Sequence, residues 1–139
     1  MNRRRLVLLI TLLLFLTPII IMGYRTTRPP EDLVTVSLNK KTIRPGEDLT
    51  LRISNYGFET LLFGQEYRIH RVFDNGTDIY LSPDYAFVAV QYMCGPLLGS
   101  WVQRVDTDLE EGSYYVVKEY TIRDLGEYNK TISFIVENP

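Results

Sequence analysis

The chain has 139 residues, 45% hydrophobic and 23% charged, enough for one core plus an appendage and too apolar for wholesale disorder. Its net charge of −2 conceals an asymmetry: residues 1–30 carry five Arg and no acid, whereas residues 31–139 carry ten Lys+Arg against seventeen Asp+Glu. That acidic body repels phosphate backbones and lacks a basic run interleaved with aromatics, which excludes nucleic acid as a partner.

Arg3, Arg4 and Arg5 precede an apolar run from Leu6 to Met22, interrupted by Thr11, Thr17 and Pro18. Through Tyr24 the run is 19 residues without a charge. At about 1.5 Å per residue it nearly crosses a hydrocarbon core of about 30 Å. The Arg cluster predicts a cytoplasmic N-terminus and an extracytoplasmic C-terminal body, with Tyr24 at the outer interface. A cleaved signal peptide has a shorter apolar core, about 7–15 residues, and a small-x-small site that Ile20 to Tyr24 lacks. No Cys follows, so a lipoprotein anchor is excluded. The reading is a retained signal-anchor over residues 1–24 in contact with the membrane through residues 6–24; cleavage would release a secreted domain.

Residues 25–32 form a short polar linker stiffened by Pro29 and Pro30. The domain then occupies residues 33–139 and shows period-2 patterning. Val34, Val36 and Leu38 alternate with Thr35 and Ser37; Leu49, Leu51 and Ile53 alternate with Thr50 and Arg52. The turn Arg44-Pro45-Gly46-Glu47 separates these strands, and Asn55-Tyr56-Gly57 ends the second. Further strands are predicted over 60–63 and 67–73, with Gly64 as a bulge or bend, and over 79–81, 85–92, 101–105, 114–122 and 131–136. Asp74-Asn75-Gly76-Thr77 predicts a type I′ hairpin turn. Seven or eight short strands at turn-separated spacing argue for an all-β antiparallel sandwich behind one transmembrane helix.

Leu109-Glu110-Glu111-Gly112-Ser113-Tyr114 is similar to the L-x-x-G-x-Y run of a tyrosine corner, with Leu109, Gly112 and Tyr114 as its structural residues. With Arg44-Pro45-Gly46-Glu47 and the Leu-x-Leu-x-Ile strand after it, the chain resembles the bacterial-type immunoglobulin-like domains of prokaryotic surface proteins. The resemblance covers most of residues 33–136, and this chain is longer than the pattern across 81–103. It implies the fold and carries over no catalytic residue.

Chemistry is sparse. His70 is the only histidine and Cys94 the only cysteine, so a blue-copper set fails on count and no intramolecular disulfide can form. Cys94 with His70 is the only Cys–His pair for nucleophilic catalysis and has no flanking signature. Asp106, Asp108, Glu110 and Glu111 are weak calcium candidates by donor type without an EF-hand spacing; a solvated acidic loop explains them better. Paired carboxylates for glycoside hydrolysis would need a cleft that so small a domain has little room for. No catalytic residue, cofactor or metal is assigned. Asn75 and Asn129 head glycosylation sequons. The stretch from Tyr85 to Met93 is apolar almost throughout, as expected of a central strand buried on both faces or of a sticky surface. If a protein partner binds, it is expected at Tyr92, Leu97, Leu98 and Trp101. The functional expectation is a non-enzymatic, membrane-anchored interaction domain, an accessory subunit or a surface adhesion module. The alternative is an inhibitor or ligand-binding module acting on an extracellular enzyme such as a protease.

Overall fold

The computed structural model describes residues 3–81, 87 and 89–138. The chain divides into two units, Met1–Leu33 and Val34–Pro139. In the first, helix α1 (Arg3–Thr26) carries an 18-residue apolar stretch, Leu6–Gly23, whose side chains are exposed throughout. Thr11 and Thr17 return their hydroxyls to the carbonyls of Val7 and Leu13, at 2.9 and 2.6 Å, so neither leaves an unbonded hydroxyl on an apolar surface. Pro18 lies inside the helix, which a membrane environment tolerates better than water does. The helix runs two residues past the expected anchor, and the expected linker ends in a 3-10 turn, Pro30–Leu33. A proline pair cannot donate backbone hydrogen bonds but suits a first helical turn.

The second unit contains ten strands among the described residues: β1 (Val34–Leu38), β2 (Thr42–Ile43), β3 (Leu49–Asn55), β4 (Leu61–Gly64), β5 (Arg68–Val72), β6 (Asp78–Leu81), β7 (Gln91–Cys94), β8 (Gly99–Val105), β9 (Gly112–Ile122) and β10 (Gly126–Val136). That exceeds the expected seven or eight. The two-residue β2 is too short to show an alternation, and it exists because it pairs in parallel with β10. The strands form a three-stranded sheet, β1-β3-β8, and a seven-stranded sheet, β2-β10-β9-β4-β7, to which β5 and β6 are joined through β9. β9 is long enough to serve two neighbours: residues 113–117 pair with β5, and 121–122 with β4.

Alternation decides which side chains meet between the sheets. Leu49, Leu51 and Ile53 of β3 and Val105 of β8 are buried from one sheet, and Tyr114, Val116, Tyr120 and Ile122 of β9 from the other, in one cluster. At about 25 cal/mol per Å² of apolar surface removed from water, such side chains contribute about 1.5–3 kcal/mol each. With no disulfide available, this cluster supplies the stability.

The turns follow local chemistry, with one correction. Pro45 presets φ and Gly46 takes φ 74°, so Arg44–Glu47 closes as a type II turn with Glu47 N donating to Arg44 O. The expected type I′ turn at Asn75-Gly76 is absent: Gly76 has φ 81°, but Asn75 does not share a positive φ. Gly76 N donates to Phe73 O and Phe73 N to Thr77 O, a type I turn followed by a left-handed glycine. The Asn75 side chain holds it there by accepting from Thr77 N and Thr77 Oγ1 at 3.0 and 2.7 Å.

A second correction concerns the apolar stretch from Tyr85. Residues 82–86 and 88 lie outside the described residues. Among the described residues the strand in the stretch is β7, which pairs with β4 at the sheet edge and not at its centre. Met93 faces outward there, 67% exposed, while Cys94 faces in.

Candidate functional site

The residues with potential chemistry are not brought together. Cys94 is buried beside Leu61 on the inward face of the larger sheet, whereas His70 pairs with Tyr80 and Tyr115 on its outward face. Burial pushes the Cys94 thiol up, the wrong direction for a nucleophile. The calcium candidates disperse. Glu110 holds Arg71 at 2.6 Å, Glu111 accepts from Asn138 at 3.2 Å, and Asp106 accepts from Asp108 N at 3.2 Å. Among the described residues no three His, Cys, Asp or Glu side chains gather where a metal could sit. Tyr114 donates its hydroxyl to Glu110 O at 2.7 Å, tying the acidic loop to the start of β9.

The four expected partner residues separate into two pairs. Trp101 and Tyr92 are half-buried, with ring centres 4.8 Å apart, and Trp101 meets Phe63 edge-on at 5.0 Å; these rings extend the core. Leu97 and Leu98 are exposed, 43% and 79%, in the turn that carries the chain from β7 in one sheet to β8 in the other. That turn is tight. A Cβ on Gly99 would fall 2.1 Å from Gly95 O, and Leu97 takes φ 74°, a left-handed conformation that disfavours a branched side chain.

Asn55 fixes this end of the domain, a role that requires the fold to be seen. Its Nδ2 reaches Glu59 O at 2.7 Å and Gly95 O at 3.0 Å, and its Oδ1 accepts from Gly57 N at 2.9 Å. Leu97 N donates to Gly57 O at 2.8 Å and Arg123 N to Thr60 O at 3.0 Å. Three loops, 56–60, 95–98 and 123–125, are thereby bound into one end, where Tyr56, Phe58, Leu97, Leu98 and Leu125 are exposed.

A second polar centre lies inside the β domain. Lys118 occupies an inward position of β9 between Val116 and Tyr120, with no exposed surface. Its three ammonium protons are matched by Gly64 O and Glu66 O at 2.7 Å and Gln103 Oε1 at 2.9 Å. The Phe63 and Trp101 rings lie 5.6 and 5.5 Å from Nζ. Burial pulls its pKa down to about 8. Gln103 also donates to Gln65 O at 3.0 Å, so Lys118 and Gln103 together fasten the 64–66 segment that links β4 to β5. The signal was present in the sequence: Lys118 interrupts the apolar series Tyr114, Val116, Tyr120, Ile122.

The outward face of the larger sheet carries a different cluster. Asp78 accepts from His70 Nδ1 at 2.7 Å and from the Tyr115 hydroxyl, and the two bonds hold its carboxyl below the usual range, Tyr115 contributing most. The His70 ring stacks on Tyr115 at 4.7 Å. Tyr80 beside His70, and Val72 and Ile135 in the adjacent cross-strand row, are exposed around it. Arg68 pairs with Glu119 on the same face. A shallow depression of about 420 Å³ on this sheet is lined by Glu119, Glu127 and Asn129 among others. Asn75 and Asn129, the sequon residues, are both exposed.

No protein-family model and no curated protein matches the chain. Among solved structures it is similar to the X-ray structure of Northeast Structural Genomics Consortium target SoR45, at 15% identity over 78% of this chain and 88% of that one, with a TM-score of 0.52. At that identity the likeness concerns the fold alone.

Proposed function

We propose that α1 is a retained anchor and that the β domain is a non-enzymatic, immunoglobulin-like interaction module held outside the cytoplasm. The observation that carries this reading is an 18-residue apolar stretch of α1, exposed along its length, at the head of an acidic β domain. The Arg3–Arg5 cluster supports a cytoplasmic N-terminus. Strand order supports the immunoglobulin-like assignment: β1-β3-β8 corresponds to A-B-E, β10-β9-β4 to G-F-C, and Tyr114 stands near the start of the F equivalent.

The domain works by contact, as an accessory subunit or a surface adhesion module. Its protein-facing surface is the outward face of the larger sheet, where Val72, Tyr80 and Ile135 surround the His70–Asp78–Tyr115 cluster. Aromatic and aliphatic side chains around satisfied polar groups suit a protein contact. The alternative, a loop-presenting inhibitor, has less support, because Gly95–Leu98 is a strapped turn with little reach. Crosslinking tagged full-length protein in its own membranes, followed by mass spectrometry, tests the reading. One recurrent partner joined through this face is expected; no partner above background sinks it.

A further inference from the structure

We infer that the end of the domain bearing Tyr56, Phe58, Leu97, Leu98 and Leu125 docks on the lipid surface; this rests on the anchor reading above. Three observations lead there. The chain enters the domain at Val34, whose register partner is Asn55, which in turn pairs with Gly99. The end where the tether arrives is therefore the end where the three apolar loops are bound together. Ten residues separate Gly23, the last of the apolar span, from Val34. Fully extended, they reach at most about 35 Å.

The second observation is the character of the loops. Leu98 is 79% exposed, and Tyr56, Phe58, Leu97 and Leu125 are each between 41% and 50% exposed, so one end presents five large apolar side chains from three loops. Tyr and Phe beside Leu is the composition that settles at a bilayer interface. The charges among them are Glu59, Arg123 and Asp124, which nearly cancel, so docking relies on apolar insertion and not on anionic headgroups.

The third is pre-organisation. Leu97 is kept at φ 74°, Asn55 straps loops 56–60 and 95–98, and Arg123 N holds the third loop to Thr60 O, so the side chains are presented without further ordering cost. A tethered surface also needs little intrinsic affinity, since a short linker makes the encounter intramolecular.

The far end is different. β9 spans 11 residues, about 36 Å, and starts beside the acidic 106–111 loop and the Asn75 turn. Docking through Leu98 would leave the far end, with Val72, Tyr80 and Ile135 near it, turned to the solvent.

The test uses the full chain in phosphatidylcholine vesicles, with a single environment-sensitive fluorophore on L98C or, as the comparison, on N75C; Cys94 is buried and does not compete. Flotation first establishes that the protein stays with lipid. Nitroxide-bearing acyl chains should then quench the Leu98 position and leave the Asn75 position unquenched. With the label moved to Tyr56→Cys, adding L98E should lower the docked-to-undocked ratio about tenfold, as one buried leucine predicts. Vesicle-bound protein with position 98 in water overturns the docking while leaving the anchor intact. So does a position 98 shielded only in native membranes and not quenched by lipid, which would assign this end to a protein. Protein that does not float overturns the anchor and the docking together.

Discussion

The two ends of the β domain are built on opposite principles. At the end where the chain enters, one buried amide, Asn55, ties two loops together and the Arg123 N–Thr60 O bond adds a third, and the loop side chains are left apolar and exposed. At the far end charged side chains supply most of the ties: Arg71 spans to Glu110 and Glu111 O and Lys40 to Glu47, beside the Tyr114 hydroxyl on Glu110 O. Polar groups spent on internal fastening free a surface to be greasy; polar groups spent on the surface keep it soluble. A single domain that faces lipid on one side and solvent on the other needs both.

The contrast predicts unequal sensitivity. Asn55→Ala should cost about 3 kcal/mol by urea unfolding, since Gly57 N, Glu59 O and Gly95 O all lose a partner at once. A cost under about 1 kcal/mol would mean that water substitutes for the amide and that the end is not pre-organised.

Midway between the ends, Lys118 makes stability depend on alkaline pH. Its native pKa is about 8, and the unfolded chain's lies near 10.4. Between those values the unfolded chain binds more protons, so stability rises with pH, by at most about 1.4 kcal/mol per pH unit. Below pH 8 both states are protonated and this contribution is flat. Unfolding curves from pH 7 to 10 should show the rise in the natural chain and lose it in Lys118→Met.

At the far end Tyr114→Phe removes one hydrogen bond from an otherwise intact core and should cost about 1 kcal/mol by thermal unfolding. Leu98→Glu, at the opposite end, should change stability in solution by less than about 0.5 kcal/mol, because the side chain is already in water. A larger loss would show that Leu98 packs on the domain itself and would erase the contrast between the ends.

Much of this was legible beforehand, for physical reasons. The head declares itself by length and by its Arg flank, and β1 and β3 by strict alternation of Val or Leu with Thr, Ser or Arg. The Leu109–Tyr114 run placed the tyrosine before its bond was visible. Misreadings arose where a residue's partner is distant in sequence. Asn55 reads as a strand terminus, yet it binds Gly95, 40 residues away. Lys118 stands in the sequence only as a charge within the apolar series of β9, and its three acceptors come from the 64–66 segment and β8. Tyr92 and Met93 belong to one apolar run, but edge pairing with β4 turns one inward and the other to solvent. Periodicity reports which face a strand buries; it does not report which strands stand at an edge.

The central claim is that α1 holds this domain on the outer side of a membrane. Its most direct test is to place a cysteine at Asn75, exposed at the far end, and treat intact cells with a membrane-impermeant maleimide. The account predicts labelling before lysis, with the natural chain unlabelled because Cys94 is buried. Labelling of N75C only after the membrane is broken would contradict it.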